Sequence, residues 1–452
     1  MPPSTLELAS DADALAALAA GAAPRAAGPA AAPAADAPTA FDGRAADTLE
    51  NRFAAPADEA SAPWLARAAA LRERLAVDAV DRDQAGGRPA QQIAWLKESG
   101  LLKLLIPREH GGEGQPWSTA LRIVRLFAQV DGSLAHLYGY HFGALQGLRF
   151  RGAPEQAAAL WRQSAQNDWF WGNVVNSFSR SLHGRQEGDS FVLDGFRPFT
   201  SGSHVADVLS VAWEDAVTEE RRFAVIPAGR AGITIEDDWD GIGQRQTGSG
   251  RVSFRKVRVH ASEVLGSAAP FNPLAASPVP ARTLGPLQQQ SVLLNVFVGS
   301  AQGALLAARD YTLAESRPWL YSGVERHQDD PWVQRQYGEL LAQTLAATAL
   351  ADRALAALDA AWARGDCLTA AERGAAALAI AAANVHAGRV ALRVTREIFE
   401  VMGARSATRA WGFDRFWRNV RIHTLHNPAE YKTRNVGRWV LGDGHPEPGS
   451  FQ

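Results

Sequence analysis

Two histidines three residues apart, in the segment Arg421-Ile-His423-Thr-Leu-His426-Asn-Pro428, are placed to handle protons. That spacing sets both rings on one helical face, and Pro428 ends the helix just beyond them. Imidazole titrates near neutral pH, so general acid/base work is one reading. A histidine capping the helix C-terminus is another, since its N–H groups satisfy end carbonyls. A metal pair is a third, but one pair supplies two ligands and no third His or carboxylate stands at a recognisable spacing, so no metal is expected. His136 and Tyr140 form a second pair, four apart in His136-Leu-Tyr-Gly-Tyr140-His, and share a helical face from which they can point into one cavity. The same two residues also suit the edge of an amphipathic core.

Missing motifs narrow the field. No G-x-G-x-x-G follows a strand, so no Rossmann site for a nicotinamide is visible, and no G-x-x-x-x-G-K-[ST], G-x-S-x-G or H-E-x-x-H occurs. The stretch Gly241-Ile-Gly243-Gln-Arg-Gln-Thr-Gly-Ser-Gly250 lies between strand signals and reads as a turn. With 46% hydrophobic and 21% charged residues and a net charge of −2, the chain lacks the basic excess that would point to nucleic acid or an anionic membrane. The single cysteine, Cys367, excludes an intramolecular disulfide and a cysteine-cluster metal site; it reads as an incidental thiol and fits a reducing compartment. Residues 1–45 are rich in Ala, Pro and Gly without the layout of a secretory signal, and are expected to form a disordered leader. The apolar run 375–385 is short of a membrane span, so a cytoplasmic protein is expected.

The elements that must position these groups follow from periodicity. Trp64, Leu65, Ala68, Leu71 and Leu75 recur at helical spacing, as do Ile93, Leu96 and Leu101, and the series from Leu121 to Val130 leads through Asp131-Gly-Ser133 into another helix. From about residue 168 to 265 the pattern changes to short β-type runs at 191–193, 208–211, 223–226, 233–235 and 252–259. Beyond a Pro-rich linker at 270–286, long Ala/Leu helices are predicted over 293–316, 331–364, 370–402 and 411–426. The expected domains are a helical domain over 46–166, a β domain over 167–285, a helical bundle over 286–440 and a tail over 441–452. The class is α+β, mainly α. The 452 residues are enough for such a multi-part core.

Eight segments, in order, carry a family resemblance: His136-Leu-Tyr-Gly-Tyr140-His, Trp169-Phe-Trp-Gly-Asn173, Phe199-Thr-Ser201-Gly, Asp237-Asp-Trp239-Asp-Gly-Ile-Gly, Ser316-Arg317-Pro-Trp319, Phe399-Glu-Val-Met-Gly-Ala-Arg405, Gly412-Phe-Asp-Arg-Phe-Trp-Arg-Asn-Val420 and His423-Thr-Leu-His426-Asn-Pro. Together they resemble the flavin-dependent monooxygenase branch of the acyl-CoA dehydrogenase superfamily, and within it the dibenzothiophene monooxygenases. The resemblance implies the acyl-CoA dehydrogenase fold: an N-terminal helical domain, a small central β-barrel and a C-terminal four-helix bundle. It also implies reduced FMN (FMNH2) in a cleft between sheet and bundle, with O2 as co-substrate.

In that light Asn173 and Ser201 match positions at the flavin, Ser201 near N5. Phe199 and Trp239 match apolar walls, and Arg317 and Arg405 match positions that grip the phosphate, a task suited to planar guanidinium donors. His426 matches the acid/base that works on the dioxygen adduct, with His136 and Tyr140 beside it and His423 in support. The implied reaction transfers oxygen from a C4a-hydroperoxyflavin to an organosulfur compound of thiophene, sulfide or sulfoxide type. A separate NAD(P)H-dependent flavin reductase would supply FMNH2, and a homotetramer is implied, with Arg405 reaching across a subunit boundary. Two departures stand beside this. The Tyr-Glu-Gly-Thr-like segment that carries the glutamate base of the dehydrogenases is absent, and Asn427 stands where these oxygenases usually have Asp. The alternatives are an FAD-dependent acyl-CoA dehydrogenase or oxidase, an N- or C-oxygenating monooxygenase of the same fold, and a helical interaction protein without flavin affinity.

Overall fold

The structure, a computed structural model, describes residues 48–54, 57–266 and 279–449. The leader expected over 1–45 and most of the Pro-rich linker lie outside the described residues. The helices before the sheet are α1 (Leu49–Arg52), α2 (Ala62–Ala76), α3 (Ala79–Ala85), α4 (Ala90–Ser99), α5 (Trp117–Ala128), α6 (Gly132–Gln146), α7 (Leu148–Arg151) and α8 (Pro154–Asn167). In α2 the buried residues are Leu65, Ala68, Leu71 and Leu75, the stripe read from the sequence. Helix α6 differs, because its residues are buried on nearly every face. It is a core helix, and its polar side chains must find partners or a ligand there.

Seven strands follow: β1 (Trp171–Val174), β2 (Leu182–Glu187), β3 (Ser190–Arg197), β4 (Val208–Asp215), β5 (Arg221–Pro227), β6 (Ile233–Ile235) and β7 (Val252–His260). They pair in the order β1-β4-β2-β3-β7-β6, with β5 also on β4, so the expected small barrel takes the form of a curled seven-stranded sheet. Leu182, Leu193, Val211, Trp213, Ile226, Val252, Val257 and Val259 fill its core. The runs at 191–193, 208–211, 223–226, 233–235 and 252–259 fall on β3 to β7, whereas β1 and β2 lie outside every predicted run. Buried Glu214 holds the sheet's interior ions together, accepting from Arg197 Nη2 at 2.7 Å and Arg221 Nη2 at 2.5 Å.

The second helical block comprises α9 (Leu284–Ala314), α10 (Pro331–Ala363), α11 (Ala370–Met402), α12 (Asp414–Thr424) and α13 (Ala429–Val440). Helix α9 starts nine residues before its predicted start and absorbs Pro286, which is tolerated in a first turn because that N–H has no helical partner anyway. The helix predicted over 411–426 is α12, shorter at both ends, and a further helix that was not predicted, α13, begins after Pro428. A Cβ on Gly139 of α6 would lie 2.4 Å from Val292 Cγ1, and one on Gly303 of α9 would lie 2.0 Å from the Gln129 carbonyl oxygen. Only glycine permits the close approach of α9 to α5 and α6. Helices α9 and α11 are long and apolar enough to cross a membrane, a correction to the short span inferred from 375–385. The best window in the α9 region is 94% buried inside the protein, as a core helix is, and that in α11 is 56% buried. From Arg52 onward the chain packs as one compact unit.

Candidate active site

The site is assembled from α6, the loops around the sheet and the end of α12. Asp131 begins α6 by accepting a hydrogen bond from Leu134 N at 2.9 Å, and Arg82 pairs with the same carboxylate. One turn in, His136 and Tyr140 lie with their rings stacked at 3.9 Å between centroids and 29° between planes. His423, in the last turn of α12, also stacks on His136, at 4.7 Å and 25°. All three residues are buried.

Ser201 arrives from the loop between β3 and β4. Phe199 has a φ of +57° and Gly202 one of +80°, which turn the chain so that Ser201 faces α6. Its carbonyl accepts from Asn173 N of β1 at 3.1 Å, and its Oγ lies 3.0 Å from His136 Nε2 and 2.7 Å from Ser249 Oγ. Asn173 is therefore one backbone hydrogen bond from Ser201. Phe199 is 65% exposed and meets Trp239 edge-on at 6.4 Å, while Trp239 Nε1 donates to the Gln244 carbonyl at 2.8 Å. The two aromatics form an apolar lip beside the polar cluster.

Electrostatics separate the three imidazoles. Burial pushes His136 down to about 3, and the nearby His426 adds to that shift. Burial again, then His136 and His426, hold His423 well below its ordinary value. His426 follows α12 with its backbone N–H donating to the His423 carbonyl at 3.1 Å. Part of its surface is open to solvent, yet the ring sits in a recess among protein atoms. That recess and the Lys432 ammonium lower its pKa, and a hydrogen bond with Asn427 opposes them. Solvent on the open face screens such a shift, so His426 is the imidazole of the three that stays nearest its ordinary value. Burial pushes the Tyr140 hydroxyl up. The groups that shift these imidazoles are each other, Lys432 and Asn427; no carboxylate is among them.

Of the residues singled out in the sequence, the structure gathers His136, Tyr140, Ser201 and Asn173, with Phe199 and Trp239 alongside and His426 at the turn after α12. It leaves Arg317 and Arg405 apart. Arg405 Nη2 donates to the Glu315 carbonyl at 2.5 Å, so both arginines sit at the far end of α9. Val292, opposite Gly139, is 22 residues before Ala314, a distance of about 33 Å at the helical rise. His423, assigned only a supporting role by resemblance, lies inside the stack. Sequence reasoning missed Gln244, Thr247 and Ser249 altogether. They belong to the glycine-rich stretch read as a turn, where the hydroxyls at 247 and 249 were the available signal.

Known proteins share this fold. Residues 65–168 match the N-terminal domain of acyl-CoA dehydrogenases, and residues 292–430 match their C-terminal domain. The chain is 39% identical to a probable FMNH2-dependent monooxygenase, SfnC, of Pseudomonas putida, across 88% of this chain and 99% of that one. It superposes with a TM-score of 0.81 on the methanesulfinate monooxygenase MsuC of Pseudomonas fluorescens, at 40% identity, covering 85% of this chain and 98% of that one. The FMN-bound form of TdsC, the dibenzothiophene monooxygenase of Paenibacillus sp. A11-2, matches with a TM-score of 0.80 and 34% identity, over 87% and 100% of the two chains. With the buried Tyr140–His136–His423 stack set against the Ser201 loop in a fold shared along nearly the whole length of these relatives, the chain belongs to the flavin-dependent monooxygenase branch of the acyl-CoA dehydrogenase family.

Proposed function

We propose that this chain is the oxygenase of a two-component system, using FMNH2 from a separate NAD(P)H-dependent flavin reductase and O2 to oxidise the sulfur of a small organosulfur compound. One observation carries the reading. Near Ser201, the buried atoms Tyr140 Oη, Asn173 Oδ1, His136 Nδ1 and His423 Nδ1 have no hydrogen-bond partner among the described residues. Leaving such atoms unpaired is costly, so their convergence fits a planar ligand edge bearing both donors and acceptors, as an isoalloxazine does. Reduced FMN supplies the electrons that activate dioxygen there.

The protein's own residues hold, shield and move protons. Asn173 and Ser201 bind the polar edge of the ring, and Phe199 and Trp239 wall it from water. Tyr140 and His136 keep the buried side of the recess neutral. His426, open to solvent on one face, exchanges protons with it and serves as the acid/base. Among the described residues no carboxylate is among the groups that shift these imidazoles, which argues against the α-proton abstraction of a dehydrogenase. The relatives' names carry the sulfur substrate class. A cytoplasmic location would let a diffusing reductase supply it.

Aerobic turnover tests this. Dibenzothiophene, alkyl and aryl sulfides and sulfinates are incubated with the enzyme, FMN, NADH and a generic reductase under labelled O2. The expected products gain one or more labelled oxygens at sulfur. Unchanged sulfur compounds together with bleaching of an FAD-loaded enzyme by acyl-CoA would establish a dehydrogenase instead.

A further inference from the structure

Ser201 is the first member of a chain of side-chain hydroxyls that ends on a carbonyl. His136 Nε2 lies 3.0 Å from Ser201 Oγ, Ser201 Oγ lies 2.7 Å from Ser249 Oγ, and Ser249 Oγ lies 2.7 Å from Thr247 Oγ1. Thr247 Oγ1 is 2.9 Å from the Gln244 carbonyl oxygen. The chain thus has four short contacts. The backbone fixes it at both ends: Gly202 N donates to the Thr247 carbonyl at 2.9 Å, and Thr200 N to the Gly250 carbonyl at 3.1 Å. Gln244 is held by Asn419, whose Oδ1 accepts from Gln244 N at 2.6 Å.

The terminal carbonyl gives the chain a direction. A carbonyl only accepts, so the Thr247 hydroxyl proton points to Gln244. Ser249 must then donate to Thr247, Ser201 to Ser249, and His136 Nε2–H to Ser201. The three hydroxyls and one ring N–H supply four protons for four contacts. Any other tautomer or direction leaves two oxygens, or an oxygen and a ring nitrogen, pressed together with no proton between them. The Ser201 proton is therefore committed away from the recess, and its remaining lone pair can only accept.

We infer that Thr247 and Ser249 are positioning residues that hold His136 as its Nε2–H tautomer and make Ser201 an obligate acceptor, so that the site favours the reduced over the oxidised flavin. The flavin half of this rests on the function proposed above; the tautomer half does not. A dihydroflavin carries a hydrogen on N5, which Ser201 can accept, whereas the oxidised ring offers only a lone pair there. Two facing lone pairs repel, and one hydrogen bond gained or lost changes affinity by roughly 3- to 10-fold.

The test uses full-length flavin-free enzyme labelled with 15N-histidine, with the His136 signals assigned by loss in His136→Gln. Wild type is expected to show His136 as Nε2–H, with Nδ1 shifted as an unprotonated ring nitrogen. Thr247→Ser retains both the tautomer and the flavin preference. Thr247→Val lets the Ser249 proton turn back to Ser201, and Ser249→Ala removes the acceptor of the Ser201 proton; in each the Ser201 proton is free to point into the recess, and binding of oxidised FMN tightens relative to FMNH2 by roughly 3- to 10-fold, measured by anaerobic titration. Wild-type His136 as the Nδ1–H tautomer, or an unchanged flavin preference in both variants, overturns the inference. A wild type that binds neither form of FMN while His136 is Nε2–H overturns the flavin reading alone and supports the hydroxyl chain's direction.

Discussion

His423 and His426 differ by three positions and by almost everything in their surroundings. His423 is sealed against His136, where no charge is stabilised, and His426 keeps a face in solvent. A residue that delivers or removes protons needs such a path to water, so we propose His426 rather than His423 as the acid/base. Replacing His426 with Ala should lower oxygenated product by on the order of 100-fold or more while flavin oxidation and hydrogen peroxide release continue. Product yield by mass spectrometry, read against peroxide formed, checks this; a wild-type product yield would remove His426 from the mechanism. The spacing in the sequence showed two imidazoles on one helical face. It could not show that α12 stops at Thr424, which puts one ring in the core and the other in the turn, because that division depends on contact with α6, more than 280 residues earlier.

Helix α6 is tied to the sheet by another buried imidazole, His141. Its Nδ1 accepts from Trp171 N of β1 at 3.2 Å, and its Nε2 donates to the Leu102 carbonyl at 2.8 Å. Both ring nitrogens are in use with the ring neutral, and burial pulls the pKa down to about 4, against the opposing Leu102 bond and Asp207 charge. The unfolded chain takes up this proton near pH 6.5, the folded one only near pH 4. Between those values the unfolded state holds one more proton, so the contribution is complete above about pH 6.5 and is lost as pH falls toward 4, at about 1.4 kcal/mol per pH unit. His141→Gln offers an acceptor and a donor but does not titrate. Urea unfolding at fixed protein concentration should therefore show the stability gap between wild type and variant shrinking by about 2 kcal/mol from pH 7 to pH 5. A constant gap would mean that His141 is not held neutral. The order of helical block, sheet and helical block was legible because long amphipathic helices and β-branched runs repeat a pattern. Strands β1 and β2 were not: Trp171–Val174 is four residues long, and β2 alternates buried Leu182 and Gly184 with polar residues, so neither has an apolar run to read. Their pairing with β4 is long-range.

On the scale of the molecule, the surface carries unpartnered apolar groups around Arg317 and Arg405, the two arginines that by resemblance match phosphate-gripping positions. Trp319 is 70%, Leu320 81% and Tyr321 82% exposed beside Arg317, and α13 has no buried residue although Tyr431, Trp439 and Val440 lie along it. Apolar surface of this extent marks an interface, and a second copy of the chain is the occupant that also explains the arginines. In one chain Arg405 meets Glu315 at the end of α9, and Ala314 lies about 33 Å along that helix from Val292, which faces α6 at Gly139, too far to serve the same flavin. We propose a homotetramer in which Arg317 and Arg405 of one subunit hold the phosphate bound at a neighbour's Ser201 and His136. Arg405→Ala and His426→Ala would then each be deficient alone. Mixing the two variants, with subunit exchange, creates sites that combine His426 from one chain with Arg405 from the other. Random pairing should restore up to about a quarter of wild-type activity. If Arg405 serves its own chain's site, every mixed site carries a defect, and the mixture stays at the level of its components.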